Sequence, residues 1–177
     1  MLVIALAVKL DSKGPVLFRQ RRHGFNNRVI TLLKFRSMRH APDAPCADDP
    51  RITRIGRFLR RAGLDKLPQL INVVTGELSL VGPQPHAIGM KAAERDLQDI
   101  VAKYAHRHRV KPGITGWAQV NGARGPLKTP ACVRRRVRYD LEYVAKNSLW
   151  LDLQILWRSA PIVLGRFLPV AGQTHAN

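Results

Sequence analysis

At 177 residues the chain has room for one domain with a core of its own and too little for two. Thirty lysines and arginines against 12 aspartates and glutamates leave a formal net charge of +18, a field that selects an anionic partner: nucleic acid, an anionic lipid surface or a phosphorylated small substrate. The two cysteines, Cys46 and Cys132, belong to no CxxC or Cys/His cluster, which excludes a disulfide framework or a zinc site and fits a reducing compartment.

The chain opens on MLVIALAVKL, apolar as far as Lys9. This run is far short of the ~20 residues that cross a bilayer as a helix. It reads either as a short helix end packed on the domain or as the remnant of a membrane-embedded helix, and it lacks the basic start and cleavage site of a signal peptide. A β-hairpin follows: Val16, Leu17 and Phe18 lead into RQRR, HGFNN makes the turn, and Val29 to Phe35 returns. The proline-containing, acidic stretch from His40 to Pro50 reads as a loop that could cover a site.

From Ile52 the spacing of Ile55, Phe58 and Leu59 predicts a helix whose other faces carry Arg54, Arg57, Arg60 and Arg61. After Gly63, Leu67, Leu70, Ile71 and Val74 at i, i+3, i+4 and i+7 predict a second, with Pro68 in its first turn and Gly76 at its end. Ala93, Leu97, Ile100, Val101 and Tyr104 predict a third, and Val133, Val137, Leu141 and Val144 a fourth. The last, SLWLDLQILWRSAPIVLG, is capped by Ser148 and is kinked or ended by Pro161. With Trp150 and Trp157 among Leu and Ile, it reads either as a core helix or as one lying in a lipid headgroup region.

Three stretches concentrate functional side chains. In LRRAGLDKLPQL, Asp65 falls near a helix start, where backbone N–H groups and the helix dipole hold a carboxylate ionised; it is a plain N-cap or a nucleophile. SLVGPQPH is a turn stiffened by Pro83 and Pro85. In HRVKPGITGWAQVNGARG, Gly113, Gly116, Gly122 and Gly125 alternate with Arg109, Lys111 and Arg124, a basic backbone suited to a diphosphate. His86, His106 and His108 are left outside the site, the latter two in a basic stretch that reads as phosphate-contacting or solvated.

The runs LDSKGPVLFRQRRHG, LLKFRSM, RITRIGRFLRRAGLDKLPQLINVVTGELSLVGPQPH, HRVKPGITGWAQVNGARG and DLEYVAKNSLWLDLQIL stand in the order of a known family. From Val8 to about Leu156 the sequence resembles the polyprenyl-phosphate sugar-phosphate transferases, the monotopic phosphoglycosyl transferases. The form KPGITGWAQVNG is similar to the branch that transfers glucose-1-phosphate in exopolysaccharide initiation. The resemblance implies attack of an aspartate on the β-phosphate of a UDP-sugar, release of UMP, and passage of the phosphosugar to undecaprenyl phosphate on the cytoplasmic face of the bacterial inner membrane, with Mg²⁺ as cofactor. By position Asp65 is the implied nucleophile, Arg60 a phosphate holder and Asp140 an organiser of the site; Arg109, Lys111, Arg124 and Gln84 are further phosphate-binding candidates.

The sequence departs from the family pattern at two of these places. Lys66 stands where the family has a glutamate that binds Mg²⁺, and a protonated amine has no lone pair for a metal. Gln84 stands where the family's PRP loop has its arginine. Lys66 could supply the cation that Gln84 lacks and stand in part for the metal. The expected fold is α/β or α+β, a small hairpin or sheet with several amphipathic helices, membrane-associated and with the family's N-terminal re-entrant helix largely missing. Residues 1–10 are then its remnant, 11–165 the catalytic domain and 166–177 a tail. Expected partners are a UDP-sugar, undecaprenyl phosphate and an anionic membrane surface. A catalytically impaired relative is the alternative; a nucleic-acid reader is not expected, since the chain has no reader motif.

Overall fold

The computed structural model describes residues 1–39 and 51–167. The acidic loop with Cys46 and most of the expected tail lie outside the described residues. The fold is mixed α/β: among the described residues, small two-stranded sheets stand beside several helices. The described residues divide into two compact units, 1–18 with 34–39, 51–68 and 160–167, and 19–33 with 69–159.

In the first unit, α1 (Leu2–Asp11) buries Val8 against Phe35 and Leu59, with Ile4, Ala5, Val16, Leu17, Ile55, Leu64 and Leu67 around them. Its other side leaves Leu2, Val3, Leu6 and Leu10 exposed. The C-terminal carbonyls of α1 are met by a buried cation, Arg36, whose Nη2 donates to Ser12 O at 2.6 Å and to Val8 O at 3.3 Å. The negative end of a helix dipole favours such a charge. Helix α2 (Arg54–Ala62) starts on Thr53, whose Oγ1 accepts from Gly56 N at 3.0 Å, and on Asp11, whose Oδ2 accepts from Ile55 N at 3.1 Å. Two otherwise orphaned N–H groups are satisfied in this way. The helical spacing is correct, yet only Leu59 of the Phe58–Leu59 pair is buried; Phe58 stands out among arginines.

The hairpin consists of β1 (Leu17–His23) and β2 (Val29–Phe35), joined through a short 3-10 turn, Phe25–Asn27. Asn26 and Asn27 take positive φ there, a conformation asparagine tolerates better than most residues. In the second unit Ile30 and Leu32 of the hairpin pack on Leu78, Val73 and Ile114.

Helix α3 (Gln69–Val74) corrects the sequence expectation. The spacing of Leu70, Ile71 and Val74 predicts an inward apolar stripe, but these side chains are exposed and the buried ones are Gln69 and Asn72. Asn72 takes the place of a strand beside β2: its Oδ1 accepts from Leu33 N at 3.0 Å and its Nδ2 donates to Thr31 O at 2.9 Å. Its Nδ2 also donates to Glu77 Oε2 at 2.6 Å. A side-chain amide offers the same donor and acceptor as a peptide, so polarity, and not hydropathy, turns this helix inward.

Strand β3 (Ser79–Val81) pairs in parallel with β6 (Gly113–Thr115), Ser79 opposite Gly113 and Val81 opposite Thr115. The third expected helix is absent as such. Its span holds β4 (Lys91–Ala92), a turn through Ala93 and Glu94 at positive φ, β5 (Arg95–Asp96), the single turn α4 (Leu97–Ile100) and a 3-10 segment, Tyr104–Arg109. Leu97 and Tyr104 still reach the core, where Val133 and Val137 of α6 (Pro130–Lys146) meet them. After α5 (Trp117–Val120), the fourth expected helix is α6, capped by Thr129 Oγ1 accepting from Cys132 N. Helix α7 (Leu149–Phe167) begins at Ser148 as expected and runs on through Pro161. Its Ile155 is buried with Val81 and Tyr143, whereas Leu149, Trp150, Leu153 and Trp157 are exposed. Among the described residues, no helix is long and apolar enough to cross a membrane.

Candidate active site

The residues singled out by sequence fall in both units. Asp65, Lys66 and Arg60 belong to the first, and Gln84, Arg109, Lys111, Arg124 and Asp140 to the second.

In the first unit, α2 ends on Gly63 at φ 72°, with Gly63 N donating to Arg60 O at 3.2 Å. Only glycine takes this left-handed turn at little cost. The reversal puts Asp65 in a 3-10 turn, Leu64–Lys66, packed on α2. Asp65 therefore lies before α3 and not in its first turn, and the helix-start argument does not apply to it. Burial pushes its carboxyl above the ordinary aspartate range, against the opposing pull of Lys66, Lys34 and Arg60. Lys34, on β2, is a neighbour that sequence reasoning missed; the run LLKFRSM holds it, but only the pairing of the hairpin aims it toward Asp65. Arg60 is exposed and steadied by Ser37, whose Oγ accepts from its Nε at 2.8 Å.

The charged groups acting on Asp65 are cations with no lone pair to give, and among the described residues no three His, Cys, Asp or Glu side chains gather. Glu77 is engaged with Asn72, and Asp152 accepts from Tyr143 Oη at 2.7 Å. What the carboxylate and its cations can do together is attack and hold a phosphate.

In the second unit, Asp140 on α6 is 1% exposed. Arg107 Nε donates to its Oδ2 at 3.0 Å, and Nη2 lies 2.7 Å from the same oxygen. Burial raises the Asp140 carboxyl, opposed by Arg107 and Arg136. Nη2 of Arg107 also donates to Gln84 O at 2.6 Å, so Asp140 and the Pro83-Gln84-Pro85 loop meet through one guanidinium. Arg107 escaped the sequence reading because it looks like one more charge in a basic stretch.

Two glycines of the third stretch, Gly113 and Gly116, lie against the Gly82 backbone. Gly113 N donates to Pro83 O at 3.1 Å and Gly82 N to Thr115 O at 2.8 Å. A Cβ on Gly113 or Gly116 would strike the Gly82 backbone. These two residues allow two chain segments to touch, and the Gly113 amide is taken up by Pro83 O. Arg109 and Lys111 are exposed; Arg124 is exposed with its Nε donating to Gln119 O at 2.6 Å. His108, expected on a solvated face or against phosphate, is buried instead, and burial with the charge of Arg107 brings its imidazole down to about 4. It shares a small hollow with His23, Gly24, Gln84 and Arg107. His86 is buried as well, its Nδ1 2.8 Å from Tyr104 Oη.

The model of the family described as bacterial sugar transferase matches residues 1–166. The chain belongs to the bacterial sugar transferase family. Within it, the chain is 53% identical over 161 residues to the undecaprenyl-phosphate glucose phosphotransferase of Komagataeibacter xylinus, covering 88% of this chain and 30% of that protein. It is 48% identical over 172 residues to the UDP-glucose:undecaprenyl-phosphate glucose-1-phosphate transferase of Xanthomonas campestris pv. campestris, covering 94% and 35%. It is 47% identical over 163 residues to the exopolysaccharide production protein PSS of Rhizobium leguminosarum bv. phaseoli, covering 89% and 82%. The chain thus spans about a third of the first two bacterial sugar transferases and most of the third.

Proposed function

We propose that this bacterial sugar transferase passes glucose-1-phosphate from UDP-glucose to undecaprenyl phosphate, the first step of an exopolysaccharide or related glycoconjugate. The observation that carries the reading is Asp65, a half-buried carboxylate on which Lys66, Lys34 and Arg60 all act. The family match over residues 1–166 and the names of the relatives support the choice of donor and acceptor.

The carboxylate oxygen of Asp65 attacks the β-phosphorus; the bond from that phosphorus to the bridging oxygen breaks, and UMP leaves with the electron pair. Lys34, Lys66 and Arg60 offset the charge that develops on the phosphoryl oxygens. The phosphate oxygen of undecaprenyl phosphate then attacks the acyl phosphate, forms the diphosphate and returns Asp65 as a carboxylate. The site works at the cytoplasmic face of the inner membrane, with the exposed apolar side of α1 toward the lipid.

The test is UMP release from UDP-glucose and undecaprenyl phosphate in detergent, with Mg²⁺ or with EDTA, beside a Lys66→Glu, Gln84→Arg variant. The native chain is expected to turn over in EDTA, since lysine replaces the metal-binding glutamate, and the variant to become Mg²⁺-dependent. Strict Mg²⁺ dependence of the native chain would overturn the role given to Lys66. Absence of a phosphosugar adduct on Asp65 in the native chain would overturn the transfer reaction.

A further inference from the structure

Ser37, in the first unit, is held through its backbone before its hydroxyl is used. Its carbonyl accepts from Thr53 N at 3.2 Å, and a bridge between Met38 and Ile52 fixes the chain just after it. Gly56, in the first turn of α2, lies against it, and a Cβ there would strike Ser37 O. The missing side chain lets the helix come down onto the backbone of Ser37. Arg60 follows Gly56 by four residues and so stands on the same face of α2. Long side chains on a helix lean back over the preceding turn, and Arg60 reaches Ser37 across the space the glycine leaves. Its Nε donates to Ser37 Oγ at 2.8 Å.

Arg60 is exposed, and an exposed arginine without a contact spreads over many rotamers. The bond to Ser37 removes that freedom through the inner nitrogen and leaves the planar Nη1–Nη2 end for another acceptor. The same guanidinium acts on the carboxyl of Asp65, in the turn packed on α2.

We propose that Ser37 is a positioning residue for the transfer: by holding Arg60 Nε, its hydroxyl presents the two outer nitrogens of Arg60 to the phosphoryl group that Asp65 attacks. The phosphoryl part rests on the transfer reaction proposed above; the hold of Ser37 on Arg60 does not. Ser37, Gly56, Arg60 and Asp65 all belong to one unit. Ser37 acts on the reaction only through Arg60. Lysine cannot replace Arg60 here, because an ammonium has no inner N–H to give Ser37 while a planar fork meets phosphoryl oxygens. Threonine can replace Ser37, since the hydroxyl is the acceptor.

The experiment is rapid-quench measurement of the Asp65 adduct formed from UDP-glucose by the full chain in detergent. It compares the native chain with Ser37→Ala, Ser37→Thr, Arg60→Ala and the Ser37→Ala, Arg60→Ala double variant, and follows the Arg60 Nε–Hε group by NMR. Ser37→Ala is expected to slow adduct formation about tenfold, as loss of a hydrogen bond to a charged group implies, and Ser37→Thr to restore most of the rate. In the Arg60→Ala background the same removal should cost less than about twofold, the signature of one residue acting through another. Equal losses in both backgrounds would assign Ser37 to the fold alone and overturn the proposal. A threonine variant no faster than the alanine one would overturn it too. Should Ser37→Ala fail to fold, Arg60→Lys decides the fork: a rate equal to the native one would overturn it. If the native chain forms no adduct, the transfer reading fails and takes the phosphoryl part with it. The Hε proton of Arg60 then decides the hold, which stands if exchange with water is faster in Ser37→Ala and falls if the two rates agree.

Discussion

Asp65 combines two opposing demands: it is buried enough for its proton to be held above the ordinary aspartate range, yet three cations favour the ion. A nucleophile needs the ionised form, so adduct formation is expected to fall on acidification, with a midpoint above that of an ordinary aspartate. Rapid-quench measurement of adduct against pH checks this, and a midpoint in the ordinary range would show that the cations have cancelled the burial. The sign for stability is the reverse. A carboxyl raised in the fold binds its proton more tightly folded than unfolded, and its contribution is lost as pH rises through the folded value. Asp65→Asn is thus expected to abolish the adduct while leaving the melting temperature unchanged or higher at neutral pH. This residue was legible through its neighbours in the motif and not through helix-start geometry, because Gly63 inserts a reversal that periodicity does not report.

Among the elements, α6 and the hairpin were legible because their buried residues repeat at the period of the element: Val133 and Val137 are both fully buried. Helix α3 was not, since its fully buried side chains are Gln69 and Asn72 while Leu70, Ile71 and Val74 face out. Hydrophobic spacing locates a helix, but it assigns the wrong side when a polar residue satisfies a neighbouring backbone. Asn72→Ala would strand Leu33 N and Thr31 O together. A loss of roughly 2–4 kcal/mol is expected in denaturant unfolding, against well under ~1 kcal/mol for Val74→Ala at an exposed position of the same helix. Similar losses for both would mean the amide has no special role. The third expected helix failed for a related reason: Ala93 and Glu94 take positive φ, which breaks the run while Leu97 and Tyr104 keep their apolar contacts.

For the molecule as a whole, the charge of +18 predicted an anionic partner, and it still has three uses under the proposed reaction: donor, acceptor and lipid. Its effect on lipid is the easiest to isolate. Binding to vesicles containing phosphatidylglycerol is expected to weaken steeply as salt rises, because exposed charges are screened beyond about 10 Å at 0.1 M. Full retention in high salt would assign the binding to the exposed apolar side chains of α1 and α7 instead. What the sequence could not yield was the division of labour among 30 basic residues. Arg36 holds carbonyls at the end of α1, and Arg107 and Arg22 hold a loop; Arg60 acts on the Asp65 carboxylate. Composition treats them alike, and only hydrogen-bond geometry separates them.

Asn72 has one more effect, on association. The outer edge of a hairpin offers unpaired amides and carbonyls as a template for a strand of another molecule, a route to aggregation. At Thr31 and Leu33 that edge is occupied by a side chain from the same polypeptide. A single amide on a helix thus closes the seam where a second copy would otherwise zip on, and keeps the β2 edge from seeding assemblies.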